Sequence, residues 1–90
     1  MNDKQLARYM KALGVETRIK LLQLLKKQPY CVNALAHHLL ITPAAVSQHL
    51  RVLRDLDLVR DEKFGNFVHY SLNQETFAMW QKEIGELFKV

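Results

Sequence analysis

One stretch of the sequence decides the fold, residues 42–53, which run Thr-Pro-Ala-Ala-Val-Ser-Gln-His-Leu-Arg-Val-Leu. Thr42 is a favourable N-cap, and Pro43 suits the first position of a helix, where its missing N–H would have no helical partner. The apolar residues then recur every three or four positions, as Val46, Leu50, Leu53 and Leu56. This spacing predicts an amphipathic helix over residues 43–56.

The polar face of this predicted helix suits the major groove of DNA. It is made of residues at helical spacing, Ala44, Ser47, Gln48, Arg51 and Asp55. Small residues at its start allow close approach, Gln48 can bond an adenine in bidentate fashion, and Arg51 can reach a guanine or a phosphate. A solvated helix with no special function would show a similar face, and this helix alone does not separate the two interpretations.

The neighbouring elements favour the DNA interpretation. A shorter helix is predicted over residues 31–39, and Leu40-Ile41-Thr42 would form the turn between the two helices. Two strands, residues 58–63 and 67–72, are predicted around Phe64-Gly65-Asn66, with a loop of two or three residues. Two helices joined by a short turn and followed by a β-hairpin are typical of a winged helix-turn-helix.

Three further helices complete the predicted order, α-α-α-α-β-β-α. The first covers residues 3–13 and ends at Gly14, and the last covers residues 74–89 after an N-cap at Asn73. The second begins at Glu16 and ends before Pro29, and its many apolar residues, Ile19 among them, predict a central, buried helix. We therefore expect one mainly α domain over residues 1–90, with the helix-turn-helix at 32–56 and the wing at 58–72.

Composition excludes several classes of protein. Ninety residues leave room for one domain, and 49% hydrophobic with 24% charged residues argue against disorder. A single cysteine, Cys31, excludes an intrachain disulfide framework. No signal-peptide core, membrane-spanning run, phosphate-binding glycine loop or hydrolase motif is present, so we expect a cytoplasmic protein that is not an enzyme.

The basic charge is unevenly distributed along the chain. The net charge is +4, and residues 1–41 alone hold seven Lys and Arg against two Asp and Glu. Residues 42–72 contain the wing and the helix predicted over residues 43–56 to enter the major groove, called the reading helix below. They hold four Lys and Arg and four Asp and Glu. We therefore expect part of the non-specific attraction to phosphates to come from the first two helices, through Arg18, Lys20, Lys26 and Lys27.

Several segments together resemble the ArsR-type transcriptional regulators, a family that includes arsenic repressors and related metal sensors. They are residues 13–22, 31–36 and 42–53, followed by Leu58-Val59 and residues 65–72, and Val-Ser-x-His-Leu-x-x-Leu at 46–53 is the most specific. The resemblance implies a homodimeric winged-helix protein that binds double-stranded operator DNA, usually as a repressor. It also implies dimerisation through the first and last helices.

The resemblance and the helix pattern together assign candidate residues. The expected DNA-binding residues are Thr42, Ala44, Ala45, Ser47, Gln48, His49, Arg51, Lys63, Asn66 and His69, the last on the exposed face of its strand. For His49, packing within the protein and contact with a phosphate are both open. The expected dimer contacts are Leu6, Tyr9, Met10, Phe77, Trp80, Ile84, Leu87 and Phe88, although part of each helix must cover the protein's own core.

The sequence departs from the family in two places. The family's arsenic or cadmium site uses Cys-Val-Cys, but this chain has Cys31-Val32-Asn33, and its last helix contains neither His nor Cys. We therefore expect no metal and no cofactor, with Cys31 either a small buried side chain or a redox-active thiol. The family also favours Gly before the cap of the reading helix, where this chain has Leu40, so the turn either avoids a left-handed conformation or tolerates its strain.

An interaction module that never binds DNA is the alternative function. Phe64 and Phe67 at the predicted tip of the wing favour it, because exposed aromatic residues often anchor protein partners. The predicted reading face favours DNA instead, because Ser47, Gln48 and Arg51 are polar and offer no such anchor.

Overall fold

Five helices and three strands make up the chain, and the computed structural model describes all residues from 1 to 90. In chain order they are α1 (Asp3–Leu13), α2 (Glu16–Leu25), β1 (Tyr30–Cys31), α3 (Val32–Leu39), α4 (Pro43–Asp55), β2 (Val59–Phe64), β3 (Phe67–Leu72) and α5 (Gln74–Leu87). The prediction of a mainly helical chain with a β-hairpin is confirmed. No helix combines the length and apolarity that crossing a bilayer requires.

The helix starts follow from their capping residues. Thr42 Oγ1 accepts a hydrogen bond from the Ala45 N–H at 3.1 Å, and Asn73 Oδ1 accepts one from the Thr76 N–H at 3.4 Å. Both caps were expected from the sequence, whereas the reciprocal bonds between Asn2 and Gln5 that open α1 were not. The predicted helix ends are slightly too long, since α4 ends at Asp55 and α5 at Leu87.

The three strands form one antiparallel sheet in the order β1-β3-β2. The hairpin pairs Phe64 with Phe67, which settles the loop at two residues, Gly65-Asn66. β1 is absent from the predicted order because two residues carry no detectable alternation. It pairs Tyr30 with Tyr70 and Cys31 with His69, and so attaches the start of α3 to the sheet.

The core lies where α2, α3 and α4 meet the base of the sheet. Its fully buried side chains are Leu21, Leu35, Val46, Leu50, Leu53, Leu58 and Val59. The predicted burial of α2 is only partly correct, because Leu21 and Leu25 are buried but Ile19 remains 47% exposed. The other face of α2 is thus free of the core.

Candidate DNA-binding surface

The outer face of α4 is polar, exposed and unused by the protein itself. Ser47, Gln48 and Arg51 are exposed together with Ala44. The opposite face is held in the core by Val46, Leu50 and Leu53, each at most 1% exposed. None of the exposed polar groups forms a hydrogen bond or ion pair within the chain. They are therefore free to bond an external partner.

The turn before α4 adopts a strained backbone. Leu40 has φ 56° and ψ 41°, the left-handed region that the sequence left as one of two possibilities. Its N–H and that of Ile41 both donate to the Ala36 carbonyl, so the conformation ends α3 as a left-handed cap does. The leucine side chain is 89% exposed and offers no packing in return.

His49 lies on the flank of α4 and is tied to α2. Arg18 Nε donates to His49 Nδ1 at 3.2 Å, and Arg18 Nη1 donates to the Ala12 carbonyl of α1 at 3.0 Å. Burial of the imidazole, and secondly the adjacent Arg18 guanidinium, lower the pKa of His49 below its ordinary value. His49 therefore packs within the protein, which is one of the two roles that the sequence left open. Contact with a phosphate is the other.

The predicted DNA contacts on the wing differ in their exposure to solvent. Lys63 and Asn66 are exposed near the tip, as a DNA-contacting wing requires. His69 is half-buried instead of exposed, because it pairs across the sheet with both Cys31 and Glu62 and its ring lies 5.3 Å from that of Phe64. Phe64 and Phe67 themselves are 54% and 67% exposed.

The cations near this surface differ in their availability. Lys20 is paired with Glu16 at 3.3 Å, and Arg54 lies 3.8 Å from Asp61. Arg18 is half-buried and engaged by Ala12 and His49, so its guanidinium is less available to a phosphate than an exposed, unpaired cation is. Lys20 and Lys27 line a groove of about 390 Å³ with His38, between α2 and α3.

The two terminal helices contact each other through an aromatic pair. The Tyr9 and Trp80 rings stack with centroids 4.4 Å apart, and Trp80 is only 4% exposed. Trp80 therefore belongs to the core and has little surface for a partner. Leu6, Phe77 and Ile84 are half-buried. The large exposed apolar side chains on these helices are Met10, Leu87 and Met79, the last of which the sequence pattern missed, and exposed Phe88 follows directly after α5.

Comparison with known proteins decides the family. The model of the bacterial regulatory proteins of the arsR family matches residues 16–61. The chain belongs to the ArsR family. It is 36% identical over 63 residues to the transcriptional repressor SdpR of Bacillus subtilis (strain 168), covering 70% of each protein. It is 32% identical over 83 residues to the SmtB homolog, a transcriptional repressor of Synechocystis sp., covering 92% of this chain and 63% of the relative.

A solved structure of similar sequence has the same fold. It is described as a possible transcriptional regulator for arsenical resistance, and it is 34% identical to this chain. The superposition gives a TM-score of 0.81 and covers 89% of this chain and 83% of the other. This likeness supports both the winged-helix architecture and the assignment to a family of transcriptional regulators, not enzymes.

The metal chemistry of some ArsR proteins does not fit the residues of this chain. No three His, Cys, Asp or Glu side chains converge in an arrangement that could hold an ion. Cys31 is half-buried at the junction of β1 and α3, where it is the N-cap residue, and Asn33 stands where a second thiolate would be needed. A site of three soft ligands cannot be assembled from one thiolate and an amide.

Proposed function

We propose that this protein is a homodimeric repressor that binds a pseudo-palindromic operator in the cytoplasm. The observation that carries the proposal is the outer face of α4, where Ser47, Gln48 and Arg51 are exposed and unbonded. Two relatives, SdpR and the SmtB homolog, are themselves named transcriptional repressors. Membership of the ArsR family makes DNA the partner that these polar groups would bond.

The proposed contacts fall into two groups. α4 would lie in the major groove, with Gln48 and Arg51 at base edges and its small N-terminal residues, Ala44 and Ala45, allowing close approach. Thr42 would face the backbone beside the positive end of the helix. Lys63 and Asn66 of the wing would contact the adjacent backbone or minor groove, with His69 behind them.

The proposed dimer places one copy of α4 on each half-site. The exposed apolar residues of α1 and α5, Met10, Met79 and Leu87, and Phe88 directly after α5 are 37–72% exposed and would be covered by a second copy of the chain. Symmetry then puts the two reading helices in successive major grooves, about 34–36 Å apart along the duplex.

Fluorescence anisotropy with the promoter fragment upstream of the protein's own gene tests the function. We expect tight binding that weakens steeply with salt and is lost with a scrambled duplex. Gln48→Ala or Arg51→Ala should lower the specific affinity by about 1–3 kcal/mol while circular dichroism stays unchanged. Gln28→Ala, at an exposed glutamine between α2 and β1, is the matched control, and it should bind as the wild type does. Equal affinity for the promoter and scrambled duplexes would refute the function.

A protein-interaction module is the second candidate, favoured by the two exposed phenylalanines of the wing. Phe64 and Phe67 are cross-strand neighbours and present one apolar tip. The anisotropy experiment separates the candidates, because an interaction module shows no sequence-dependent binding to any duplex.

A further inference from the structure

Arg18 connects three helices through a single side chain. It belongs to the first turn of α2, its Nη1 bonds the Ala12 carbonyl of α1 at 3.0 Å, and its Nε bonds His49 of α4 at 3.2 Å. Both bonds are partly buried. One guanidinium therefore spans from the helix expected at the dimer interface to the helix expected in the major groove.

Both partners of Arg18 are acceptors, so each of the two hydrogen bonds runs from the guanidinium to its partner. The Ala12 carbonyl belongs to the last turn of α1, where carbonyls have no partner inside the helix. His49 accepts at Nδ1, which requires the neutral ring with its proton on Nε2. Because the donors of a guanidinium are held in one rigid plane, the two bonds also fix the relative position of their acceptors.

His49 Nε2 makes no bond within the chain, and it is not among the buried polar atoms that lack a partner. It is therefore accessible to solvent, and its proton points away from Arg18. His49 could consequently act on DNA in two ways, by its own Nε2–H or by holding α4 in place.

We propose that Arg18 is a positioning residue that fixes α4 relative to α1, and so sets the separation of the two reading helices in the dimer. The inference rests on the proposed function and deepens it. It assigns Arg18 a geometric role in operator choice, distinct from a contact between its charge and a phosphate. Loss of the connection leaves α4 folded, because its core side chains remain, but lets it shift against α1.

The test is selection from a pool of duplexes with two randomised half-sites and spacers of different lengths. The wild type should enrich one spacing. Arg18→Met, which keeps the aliphatic stem but loses both bonds, should enrich several spacings and bind the wild-type duplex roughly tenfold more weakly. Lys26→Met is the matched control, because Lys26 lies at the opposite end of α2, is exposed and unpaired, and loses the same charge.

Two substitutions of His49 test the connection from its other end. Asn carries an acceptor near the position of Nδ1, whereas Gln carries its amide near the position of Nε2. His49→Asn should therefore keep the narrow spacing preference and bind more tightly than His49→Gln, which should broaden it as Arg18→Met does. The reverse order would assign His49 to DNA contact through Nε2 and overturn the proposal.

Two further outcomes of the selection would overturn the proposed role of Arg18. If Arg18→Met and Lys26→Met lose equal affinity for selected and scrambled duplexes, Arg18 acts through its charge and the proposal is wrong. If the wild type enriches no duplex, the proposed function fails, and a role in operator choice fails with it. The bond itself is checked without DNA by ¹⁵N NMR of His49, which should show the Nε2–H tautomer in the wild type and a tautomer mixture in Arg18→Met.

Discussion

Leu40 occupies a backbone conformation that leucine disfavours, in the turn between α3 and α4. Its φ of 56° brings Cβ close to its own carbonyl, at a cost of about 1–2 kcal/mol. Leu40→Gly removes that strain but adds freedom to the unfolded chain, about 0.5–1 kcal/mol. We expect a net stabilisation of up to about 1 kcal/mol in urea unfolding. Leu40→Ala keeps the strain and should change little, and stabilisation by Ala as large as by Gly would contradict this account.

His49 gives the free energy of unfolding a pH dependence. Its pKa is lowered in the folded protein by burial and by Arg18, so the unfolded chain binds a proton more readily. The contribution of His49 to the free energy of unfolding is therefore complete above the ordinary histidine pKa of 6.5. It is lost as the pH falls from there through the lower pKa of the folded state. Urea unfolding from pH 7.5 downwards should show a steeper loss for the wild type than for His49→Asn. Parallel curves would show that His49 is not the group responsible.

Two glycines, Gly65 in the turn of the wing and Gly85 near the end of α5, should respond in opposite ways to substitution by alanine. Gly65 has φ +62° with open space around a Cβ, so Gly65→Ala should destabilise by about 1 kcal/mol through backbone strain alone. Gly85 has no positive φ and also has open space, so Gly85→Ala inside the helix should stabilise by about 0.5–1 kcal/mol. Thermal unfolding of both variants measures the pair, and shifts of the same sign would contradict the assigned backbone conformations.

Elements with strong local signals could be predicted from the sequence, and those formed by distant pairing could not. Thr42, Pro43 and Asn73 mark helix starts through their own side chains and ring, so their positions are local information. β1 has two residues and exists only because β3 lies beside it. The bond from Arg18 to His49 spans 31 positions and left no pattern in the sequence. The same holds for the burial of His69 between two strands.

At the scale of the whole molecule, the charge does not locate the proposed DNA-binding surface. The +4 net charge lies mainly in the first 41 residues, yet Arg18 is withdrawn into the protein and Lys20 is paired with Glu16. The outer face of α4 is distinguished by geometry and free hydrogen-bonding groups. Helical periodicity was sufficient to predict that face, because its spacing is a local property.

The proposed dimer depends on the exposed apolar end of α5. Leu87 and Phe88 are 58% and 72% exposed, so Leu87→Asp with Phe88→Asp should yield a monomer in analytical ultracentrifugation without changing circular dichroism. The matched control is Phe64→Asp with Phe67→Asp, an equally exposed apolar pair on the wing, which should remain dimeric. A monomeric wild type, or loss of the dimer in the wing variant instead, would place the interface elsewhere.

Hydroxyl-radical footprinting of a selected duplex tests most directly the claim that two copies of α4 bind one operator. We predict two protected patches related by two-fold symmetry, with centres about 34–36 Å apart along the duplex, and loss of both in Gln48→Ala at the same protein concentration. A single patch, or uniform protection along the duplex, would contradict the account.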